Sequence, residues 1–458
     1  MRHCSVKAQC GWPGTAGPDE LLAKYARPVP RYTSYPTAVQ FKPDVDAGTY
    51  AEWLAGTDSH AAISLYLHIP FCTELCWYCG CHTAVARSET PIDDYVETLL
   101  AEIDLVSRVI GGRRRVSALH FGGGSPNILK PHHLEHLIAR LHQHFDFNHD
   151  LEFAAELDPR GTSDAWIRKA ASLGLNRASL GVQTFETGVQ AMINRRQSLG
   201  MVRRLVETLR DAGIEGINFD LMYGLPRQTT KSVLDTIDEA LDLVPDRIAL
   251  FGYAHVPWMM ARQRLIKDED LPDSHQRLQQ QLAASASLKA ADYMPVGLDH
   301  FAKQGDDLAI AARNGTLRRN FQGYTTDAAQ CLIGFGASSI GKSPQGFVQN
   351  KSDVPQWRAA IRSGQLATAR GIALTDDDRR RASIIERLMC DLEADIGEFS
   401  RGDTADRLAE MEADGLIIRE GERIAITEPG RPFLRSVCAV FDRYLPPVHG
   451  ERRHAIAV

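Results

Sequence analysis

The chain has 458 residues, 44% hydrophobic and 24% charged, which is typical of a soluble globular protein with one large domain and one or two smaller ones. Its net charge of −6 excludes a general positive field for nucleic acid. The sequence has no run of about 18 apolar residues, and Met1–Lys24 has no signal-peptide core, so we expect a cytoplasmic protein without a membrane-spanning helix.

The N-terminal segment is predicted to be an arm outside the main domain. The leader contains Cys4 and Cys10 among glycines and prolines, which is typical of a disordered tail. Prolines disfavour regular helix in Pro30–Ala38, and its tyrosines favour partial burial, so we expect an extended arm over the body of the protein. Residues 41–60 are predicted to form a short helical connector.

Four cysteines lie within ten positions, directly after an apolar run that predicts a strand at Ile63–His68. Such closely spaced thiols suit metal ligation better than long-range disulfides. The first three, Cys72, Cys76 and Cys79, have the spacing C-x3-C-x2-C, which can wrap a loop around one iron–sulfur cluster and leave one iron open. Ligation by Cys81 would close that iron, so we expect Cys81 to line the site without binding the cluster.

A zinc knuckle is the alternative for this loop, with Cys81 or His82 as the fourth ligand. Zinc loops usually pair C-x2-C with a second ligand pair some distance away, and no such pair is found in the sequence. The spacing therefore favours the iron–sulfur cluster. The remaining cysteines, Cys331, Cys390 and Cys438, lie in apolar segments and are predicted to be small core residues.

From Ile63 onward, short β-rich runs alternate with amphipathic helical patterns, which predicts βαβ units and a parallel sheet. Six such units indicate an open, partial barrel, whose reactive groups are expected at the carboxyl ends of the strands. The predicted strands are Ile63–His68, Val116–Phe121, Leu151–Leu157, Asn176–Val182, Gly216–Leu221 and Arg247–Tyr253. The predicted helices are Ile92–Val109, His132–Phe145, Ser163–Leu173, Gly188–Asn194, Met201–Ala212 and Lys231–Leu243.

The chain changes character after the sixth strand. A helix is predicted over Asp268–Ala290, whereas Gly297–Gln345 is predicted to be loop-rich because it contains many glycines. From Thr375 onward, helices are followed by a hairpin near residues 419–427 and a last helix at Pro432–Tyr444. This order is similar to a winged-helix-like module.

The segment Leu408–Leu416 is acidic, so an accessory domain is favoured over a DNA-reading one. The predicted division of the chain is an arm with its connector at 1–60, a barrel with its extension at 61–365 and a mainly helical domain at 366–458.

Several polar or glycine motifs follow the predicted strands. Gly122–Gly124 could bring a backbone close to a ligand and offer it N–H and C=O groups, although three glycines alone also suit a plain tight turn. Glu156 could accept hydrogen bonds from ribose hydroxyls. Gln183 and Arg195 suit an adenosine or a carboxylate, and Asp220 ends the fifth strand. A surface ion pair is the alternative role for each of the charged residues.

Together the motifs resemble the oxygen-independent coproporphyrinogen III oxidase family of the radical S-adenosylmethionine (SAM) superfamily. The resemblance runs from about Tyr25 to Tyr444 and rests on Pro30–Ala38, Tyr66–Cys81, Gly122–Pro126, Glu156–Arg160, Gly181–Phe185, Asn194–Arg195, Asp220–Gln228, Tyr253–His255 and Asn320–Thr326. It implies an α/β fold with a partial (β/α)6 barrel, a 4Fe-4S cluster and two SAM molecules. The implied reaction uses a 5′-deoxyadenosyl radical to convert the propionates on rings A and B of coproporphyrinogen III to vinyl groups, giving protoporphyrinogen IX and carbon dioxide.

The resemblance also implies roles for individual residues. Cys72, Cys76 and Cys79 would hold the cluster. The cluster-bound SAM would contact Tyr66, Gly123, Glu156 and Ile340, and the second SAM would contact Tyr78, Gly124, Ser125, Gln183, Arg195, Asp220 and Ala254. Tyr66, Gln322 and Ile340 are the candidate catalytic residues, and Arg27, Arg31 and Tyr32 on the arm are candidates for binding substrate carboxylates. Tyr78, Ser125 and Gly252 depart from the commonest family residues, and none of these changes removes a cluster ligand.

The expected partners are coproporphyrinogen III, an external electron donor such as flavodoxin or ferredoxin, and an electron acceptor. The expected protein is a monomer that binds neither nucleic acid nor membrane. A radical-SAM-like haem chaperone is the first alternative, but such relatives generally lack the Pro30–Ala38 arm and the cysteine equivalent to Cys81. An iron–sulfur DNA-binding regulator is the second, and the acidic Leu408–Leu416 segment disfavours it.

Overall fold

The structure is a computed structural model that describes residues 17–445, so Cys4 and Cys10 lie outside the described residues. Its strands are β1 Ile63–Ile69, β2 Phe71–Cys72, β3 Ala84–Val85, β4 Arg115–Gly123, β5 Asp146–Leu157, β6 Arg177–Gln183, β7 Gly216–Tyr223, β8 Arg247–Gly252, β9 Tyr293–Val296, β10 His300–Lys303, β11 Arg318–Asn320, β12 Gly323–Thr325, β13 Cys331–Phe335, β14 Ile340–Ser343, β15 Gly346–Asn350, β16 Thr368–Ala373, β17 Glu393–Asp395, β18 Ile417–Glu420 and β19 Arg423–Ile426. Its α-helices are α1 Pro18–Tyr25, α2 Ala47–Ala55, α3 Thr90–Ile110, α4 Pro131–His144, α5 Asp164–Ser172, α6 Thr187–Met192, α7 Leu199–Asp211, α8 Thr230–Leu241, α9 Ser274–Ala290, α10 Asp307–Arg313, α11 Val354–Arg362, α12 Asp376–Asp391, α13 Asp403–Ala413 and α14 Leu434–Cys438.

Six parallel strands, in the order β1-β4-β5-β6-β7-β8, form the centre of a 12-stranded sheet. Each corresponds to one predicted strand, and the largest difference is at β5, which begins at Asp146 and not at Leu151. Every residue of β1 is buried, as expected for a parallel strand that is covered on both faces. Helices connect consecutive strands of the series, so the predicted partial (β/α)6 barrel is confirmed.

The sheet continues beyond both edges of this barrel. On one side β13 pairs in parallel with β1, and β14, β15 and β16 follow antiparallel. On the other side β10 and β9 follow β8 antiparallel. The segment Gly297–Gln345, predicted to be loop-rich, also contains five short strands, β10–β14, and helix α10. Directly after it, Gly346 is needed within a strand pair, because a Cβ at this position would lie 2.1 Å from the Ile372 carbonyl oxygen.

The arm forms a second hydrophobic core with the C-terminal region, separate from the core around the barrel strands. Leu21 and Tyr25 of α1 are buried there, and Phe433 packs edge-on against the Tyr25 ring. The Tyr25 hydroxyl donates to Asp414 Oδ2 at 2.6 Å, and the Ser436 hydroxyl donates to the Tyr25 carbonyl oxygen at 2.7 Å. The segment before Pro30–Ala38 is therefore helical and packed into a core, whereas residues 30–37 form no helix or strand, as predicted for the extended arm, with Tyr32 and Tyr35 buried.

The elements of the C-terminal region follow the predicted order of helices and a short wing. α12 and α13 precede β18 and β19, which pair as a hairpin within a three-stranded sheet with β17. The last helix is shorter than the predicted Pro432–Tyr444, because α14 spans only Leu434–Cys438. Strand β16 belongs to the large sheet although it lies beyond residue 365, and the predicted division into three domains remains a prediction. Within residues 17–445, no helix combines the length and the apolar character that crossing a membrane requires.

Candidate active site

A cavity of about 490 Å³ lies at the carboxyl ends of the six parallel strands. The loop after β1 contributes all four of its cysteines to the wall. A second cavity of about 280 Å³ lies among the barrel strands and shares Glu156, Ser179, Asp220 and Phe251 with the first. These four residues therefore mark where the barrel cavity adjoins the cavity at the cysteine loop.

Residues from the far side of the barrel hold the cysteine loop in place. The Asn194 side-chain amide donates to the Leu75 carbonyl oxygen at 2.9 Å. The Gln263 side-chain amide donates to the Tyr78 carbonyl oxygen at 2.7 Å. The loop is thus bonded directly to segments that follow β6 and β8, which keeps its thiols over the cavity.

Two of the three predicted ligand thiols accept hydrogen bonds from nearby loop residues. The Ser125 hydroxyl lies 3.6 Å from Cys72 Sγ, and the Cys81 backbone N–H lies 3.4 Å from Cys79 Sγ. Hydrogen bonds from Cys81 lower the pKa of the Cys79 thiol to about 6, against the effect of burial. Burial raises the pKa of the Cys72 thiol, so the hydrogen bonds favour the metal-binding thiolate form at Cys79 in particular.

The third thiol, on Cys76, is surrounded by charge. It is buried, and its Sγ lies 3.3 Å from Arg195 Nη1 and 3.4 Å from Arg160 Nη2. Both arginines also pair with Asp158, at 3.4 Å for Arg195 and 2.6 Å for Arg160. Two guanidinium groups next to one sulfur can offset the negative charge that thiolates bring together.

These thiols have the donor chemistry of an iron–sulfur site. Three of them face a single wide cavity, as is needed when separate irons of one cluster each take a thiolate. Within residues 17–445, no group of three or more histidine, cysteine or carboxylate side chains is arranged to hold a single metal ion. The residues present therefore fit a 4Fe-4S cluster.

The glycine motif Gly122–Gly124, at the end of β4, brings this strand close to the cysteine loop. A Cβ at Gly124 would lie 2.5 Å from the Phe71 carbonyl oxygen, so no side chain fits there. The Gly123 N–H donates to Glu156 Oε2 at 3.1 Å, and the Gly124 N–H donates to the Ile69 carbonyl oxygen at 2.8 Å. These N–H groups bond within the chain, so a ligand would reach them only after a rearrangement.

Two carboxylates at the junction of the cavities have opposite pKa shifts. Burial favours the neutral form of Glu156, but hydrogen bonds from His120 Nε2 at 3.2 Å and from Gly123 outweigh it and lower the pKa. Burial, with a smaller effect of the Glu156 charge, raises the pKa of Asp220 to about 7. Glu156 is thus ionised at neutral pH, whereas Asp220 is poised to exchange a proton.

Most of the residues predicted to contact SAM line the larger cavity: Tyr78, Gly123, Gly124, Ser125, Glu156, Gln183, Arg195, Asp220 and Ala254. Gln183 adopts a positive φ of 65°, which a non-glycine residue rarely does. The Arg195 guanidinium is already engaged, because its Nε donates to the Gly181 carbonyl oxygen at 3.0 Å in addition to its contacts with Asp158 and Cys76.

The three predicted catalytic residues have different surroundings. Gln322 lines the barrel cavity, and its buried Oε1 has no hydrogen-bond partner among the described residues. Tyr66 and Ile340 line neither cavity. The Tyr66 hydroxyl lies 3.0 Å from His68 Nδ1, and its ring stacks on that of His120. The roles predicted for all three remain predictions.

The arm residues are also placed differently from one another. Arg31 lines the larger cavity and donates to the Gly252 carbonyl oxygen at 3.2 Å. Tyr32 is buried in the second core, where its hydroxyl donates to Asp442 Oδ2 at 3.1 Å. Arg27 is exposed. Of these three residues, Arg31 is the one that borders the cavity.

Some neighbours of the cluster site could not be assigned from single motifs. Asp158 and Arg160 lie two and four residues after Glu156 and pair with each other, yet the contact of Arg160 with Cys76 depends on a loop that is distant in sequence. Arg262 contacts the Cys81 carbonyl oxygen at 3.2 Å from a segment with no strand-end signal. A charged pair one and three residues beyond the end of β5 was the available signal for the first two residues.

The comparisons with known proteins agree with this geometry. The model of the radical SAM superfamily matches residues 66–240. An oxygen-independent coproporphyrinogen III oxidase from Bradyrhizobium diazoefficiens is 48% identical over 439 residues, covering 94% of this chain and 97% of the relative. An oxygen-independent coproporphyrinogen III oxidase from Pseudomonas aeruginosa is 40% identical over 448 residues, with coverage of 94% and 97%.

A solved structure is similar over nearly the same span. Coproporphyrinogen III oxidase from Escherichia coli, described as a radical SAM enzyme, superposes with a TM-score of 0.86 at 37% sequence identity. The match covers 91% of this chain and 98% of that structure.

Proposed function

We propose a function from one premise: the chain belongs to the oxygen-independent coproporphyrinogen III oxidases of the radical SAM superfamily. We infer that it converts the propionates on rings A and B of coproporphyrinogen III to vinyl groups, giving protoporphyrinogen IX. The observation that carries this proposal is that a polar cavity inside the barrel adjoins the cavity lined by three clustered thiols. A substrate bound in the barrel cavity would lie next to the cofactor site, on the inner side of the barrel.

Cys72, Cys76 and Cys79 would hold a 4Fe-4S cluster, and Arg160 and Arg195 would balance its charge at Cys76. Together with SAM, the cluster would supply the radical chemistry, with a 5′-deoxyadenosyl radical as the acceptor of one hydrogen atom from the β-carbon of a propionate. Loss of carbon dioxide from the substrate, and of one electron to an external acceptor, would then leave the vinyl group. The barrel holds the reacting carbon in place and excludes solvent from it.

The roles of the SAM-binding residues are part of the same proposal. Glu156, with Tyr66, Gly123 and Ile340, is assigned to the cluster-bound SAM, and its ionised carboxylate suits paired ribose hydroxyls. A second SAM is assigned to Tyr78, Gly124, Ser125, Gln183, Arg195, Asp220 and Ala254, all of which line the larger cavity. Gln322 is assigned to the substrate, because its buried Oε1 lacks a partner among the described residues and lines the barrel cavity.

The partners are inferred from the chemistry. An external one-electron donor of the flavodoxin or ferredoxin type would reduce the site, and the enzyme would work as a monomer on coproporphyrinogen III.

The test is anaerobic reconstitution of the protein with iron and sulfide, followed by incubation with SAM, a reductant and coproporphyrinogen III. We expect chromatography to separate protoporphyrinogen IX from the substrate, in the stoichiometry of two carbon dioxide molecules per porphyrinogen. Cys72→Ser protein is the control and should form no product. Cleavage of SAM without any decarboxylated porphyrinogen would contradict the proposal, and high haem affinity in such a protein would favour a haem chaperone.

A further inference from the structure

Four arginines from distant parts of the chain line a small cavity next to the larger cavity at the cysteine loop. Arg31 comes from the arm, Arg277 from α9, Arg319 from β11 and Arg435 from α14. Together they span the N-terminal segment, the barrel extension and the C-terminal region. We call this set the arginine cluster.

The described residues that line this cavity include one carboxylate, Asp299, against the four guanidinium groups. Asp299 is bonded to its neighbour, since its Oδ1 lies 2.8 Å from His300 Nδ1. Burial would raise the pKa of Asp299, but the hydrogen bond and charge of His300 lower it to about 2. The cavity is therefore strongly positive even with Asp299 fully ionised.

Arg319 gives the most direct sign of a missing ligand. Its guanidinium carbon lies over the Tyr324 ring, 4.3 Å from the ring centre, a cation–π contact that helps to hold the group in place. Its Nε and Nη1 are buried and have no hydrogen-bond partner among the described residues. A buried hydrogen-bond donor without an acceptor costs free energy. Two such donors on one guanidinium group have the geometry to bind the two oxygens of a carboxylate.

The cavity also has the right size and position. Its volume is about 40 Å³, and a water-sized group needs roughly 10–15 Å³, so the space admits a carboxylate but not a whole porphyrinogen. It shares Arg31, Phe251, Tyr253 and Ala254 with the larger cavity. A ligand that fills the larger cavity can therefore extend one acidic substituent into the arginine cluster.

We propose that the arginine cluster is a carboxylate subsite, which binds a propionate of the porphyrinogen other than the one that reacts. This inference rests on the proposed function, because it takes a polycarboxylate substrate as given. A non-reacting propionate held by the cluster orients the macrocycle, so that a chosen neighbouring propionate reaches the radical chemistry. Arg319 is then a positioning residue that binds substrate away from the reacting carbon.

The test compares Arg319→Gln with Arg318→Gln in the reconstituted holoenzyme. Arg318 is the exposed neighbour of Arg319 on β11 and is the matched control. We expect Arg319→Gln to raise the KM for coproporphyrinogen III by about 10- to 100-fold, the range for losing a hydrogen bond to a charged group. The rate at which Arg319→Gln cleaves SAM in the absence of porphyrinogen should stay at the wild-type level. The KM of Arg318→Gln for coproporphyrinogen III should also stay at the wild-type level.

A binding measurement separates a carboxylate effect from damage to the fold. Arg319→Gln should weaken equilibrium binding of coproporphyrin III but not of its tetramethyl ester, whose carboxylates are masked. Unchanged affinity for the free acid, or equal losses for both ligands, would overturn the subsite. If Arg319→Gln does not fold, the binding of the free acid and of the ester is compared in Arg31→Gln, which changes an exposed member of the arginine cluster. Because binding needs no turnover, an inactive wild-type protein would count against the proposed function alone.

Discussion

The backbone N–H of Cys81 donates a hydrogen bond to the sulfur of Cys79, one of the three proposed cluster ligands. We predict that Cys72→Ser, Cys76→Ser and Cys79→Ser each abolish the visible absorbance of the cluster and SAM cleavage, because each removes a thiolate ligand. Cys81→Ser should still bind about four irons per chain. Iron content and absorbance after anaerobic reconstitution measure both effects. Failure of Cys81→Ser to take up iron, with success in one of the other three, would refute this ligand assignment.

Arg195 is buried between Asp158 and Cys76, whereas its neighbour Arg196 is exposed. We predict that Arg195→Ala lowers turnover and destabilises the fold by about 3 kcal/mol, because it removes one partner of a buried ion pair. Arg196→Ala should match the wild type in both respects. Decarboxylation rates and urea unfolding provide the measurements, and wild-type turnover in Arg195→Ala would remove that residue from the site.

Glu102 is a buried carboxylate in α3 that lies outside the proposed site. It accepts hydrogen bonds from the Gly336 N–H at 2.6 Å, the Asn350 amide at 2.7 Å and Trp357 Nε1 at 3.1 Å. Burial outweighs these bonds and raises its pKa from 4.5 to about 7. Between these two values the folded chain binds more protons at this group than the unfolded chain, so its contribution to stability falls as the pH rises.

We therefore predict that wild-type protein loses about 3 kcal/mol of stability from this group between pH 4.5 and 7, since one pKa unit corresponds to about 1.4 kcal/mol. Glu102→Gln should remove that part of the pH dependence. Glu97→Gln, at an exposed position of the same helix, should retain it. Urea midpoints at pH 5 and pH 7 decide the matter, and equal pH dependence in wild type and Glu102→Gln would count against the shifted pKa.

The site residues that could be predicted from the sequence are those whose signal is local. Cys72, Cys76 and Cys79 are close enough for their spacing alone to indicate a cluster loop. The members of the arginine cluster are distant from one another in the sequence, and each alone is typical of a solvated surface residue. Only the fold brings them to one cavity.

Among the elements, α1 shows that the N-terminal segment packs into a hydrophobic core. Leu21 is fully buried in the second core. We predict that Leu21→Ala destabilises this core by about 2–5 kcal/mol, the usual cost of emptying a buried leucine site. Ile418→Ala, at an exposed position of β18, should have little effect. Thermal unfolding measures both, and equal stability of the two variants would refute the packing described for α1.

The parallel strands could be predicted because each is a short apolar run between helical patterns, as β1 with its full burial illustrates. The antiparallel strands β14 and β15 could not, because Gly341 and Gly346 are signals for turns when neighbours in space are unknown. In the structure the glycines allow close approach of an adjacent backbone. Helix α1 could not be predicted either, because a proline is usually a signal against a helix. Pro18 lies in the first turn of α1, where proline is compatible with a helix.

At the scale of the molecule, the described part of the chain contains two large cores, one around the barrel strands and one that joins the arm to the C-terminal region. We predict that amide hydrogens in α1, α12 and α13 exchange with one common opening free energy, distinct from that of β1 and β4–β8. Leu21→Ala should accelerate exchange throughout the first group and leave the second unchanged. Hydrogen exchange followed by mass spectrometry tests this, and independent exchange of α1 would contradict a shared core.

The joining of α1 to the C-terminal region has a consequence during synthesis on the ribosome. Between Tyr25 and Asp376 lie 350 residues, which take roughly 20–70 s to translate at about 5–20 residues per second. Late in that interval the six barrel strands have left the ribosome, whereas most of the core that buries Leu21 and Tyr25 is still to be made. The nascent chain thus passes through a stage in which all barrel strands are present and α1 lacks most of its packing partners.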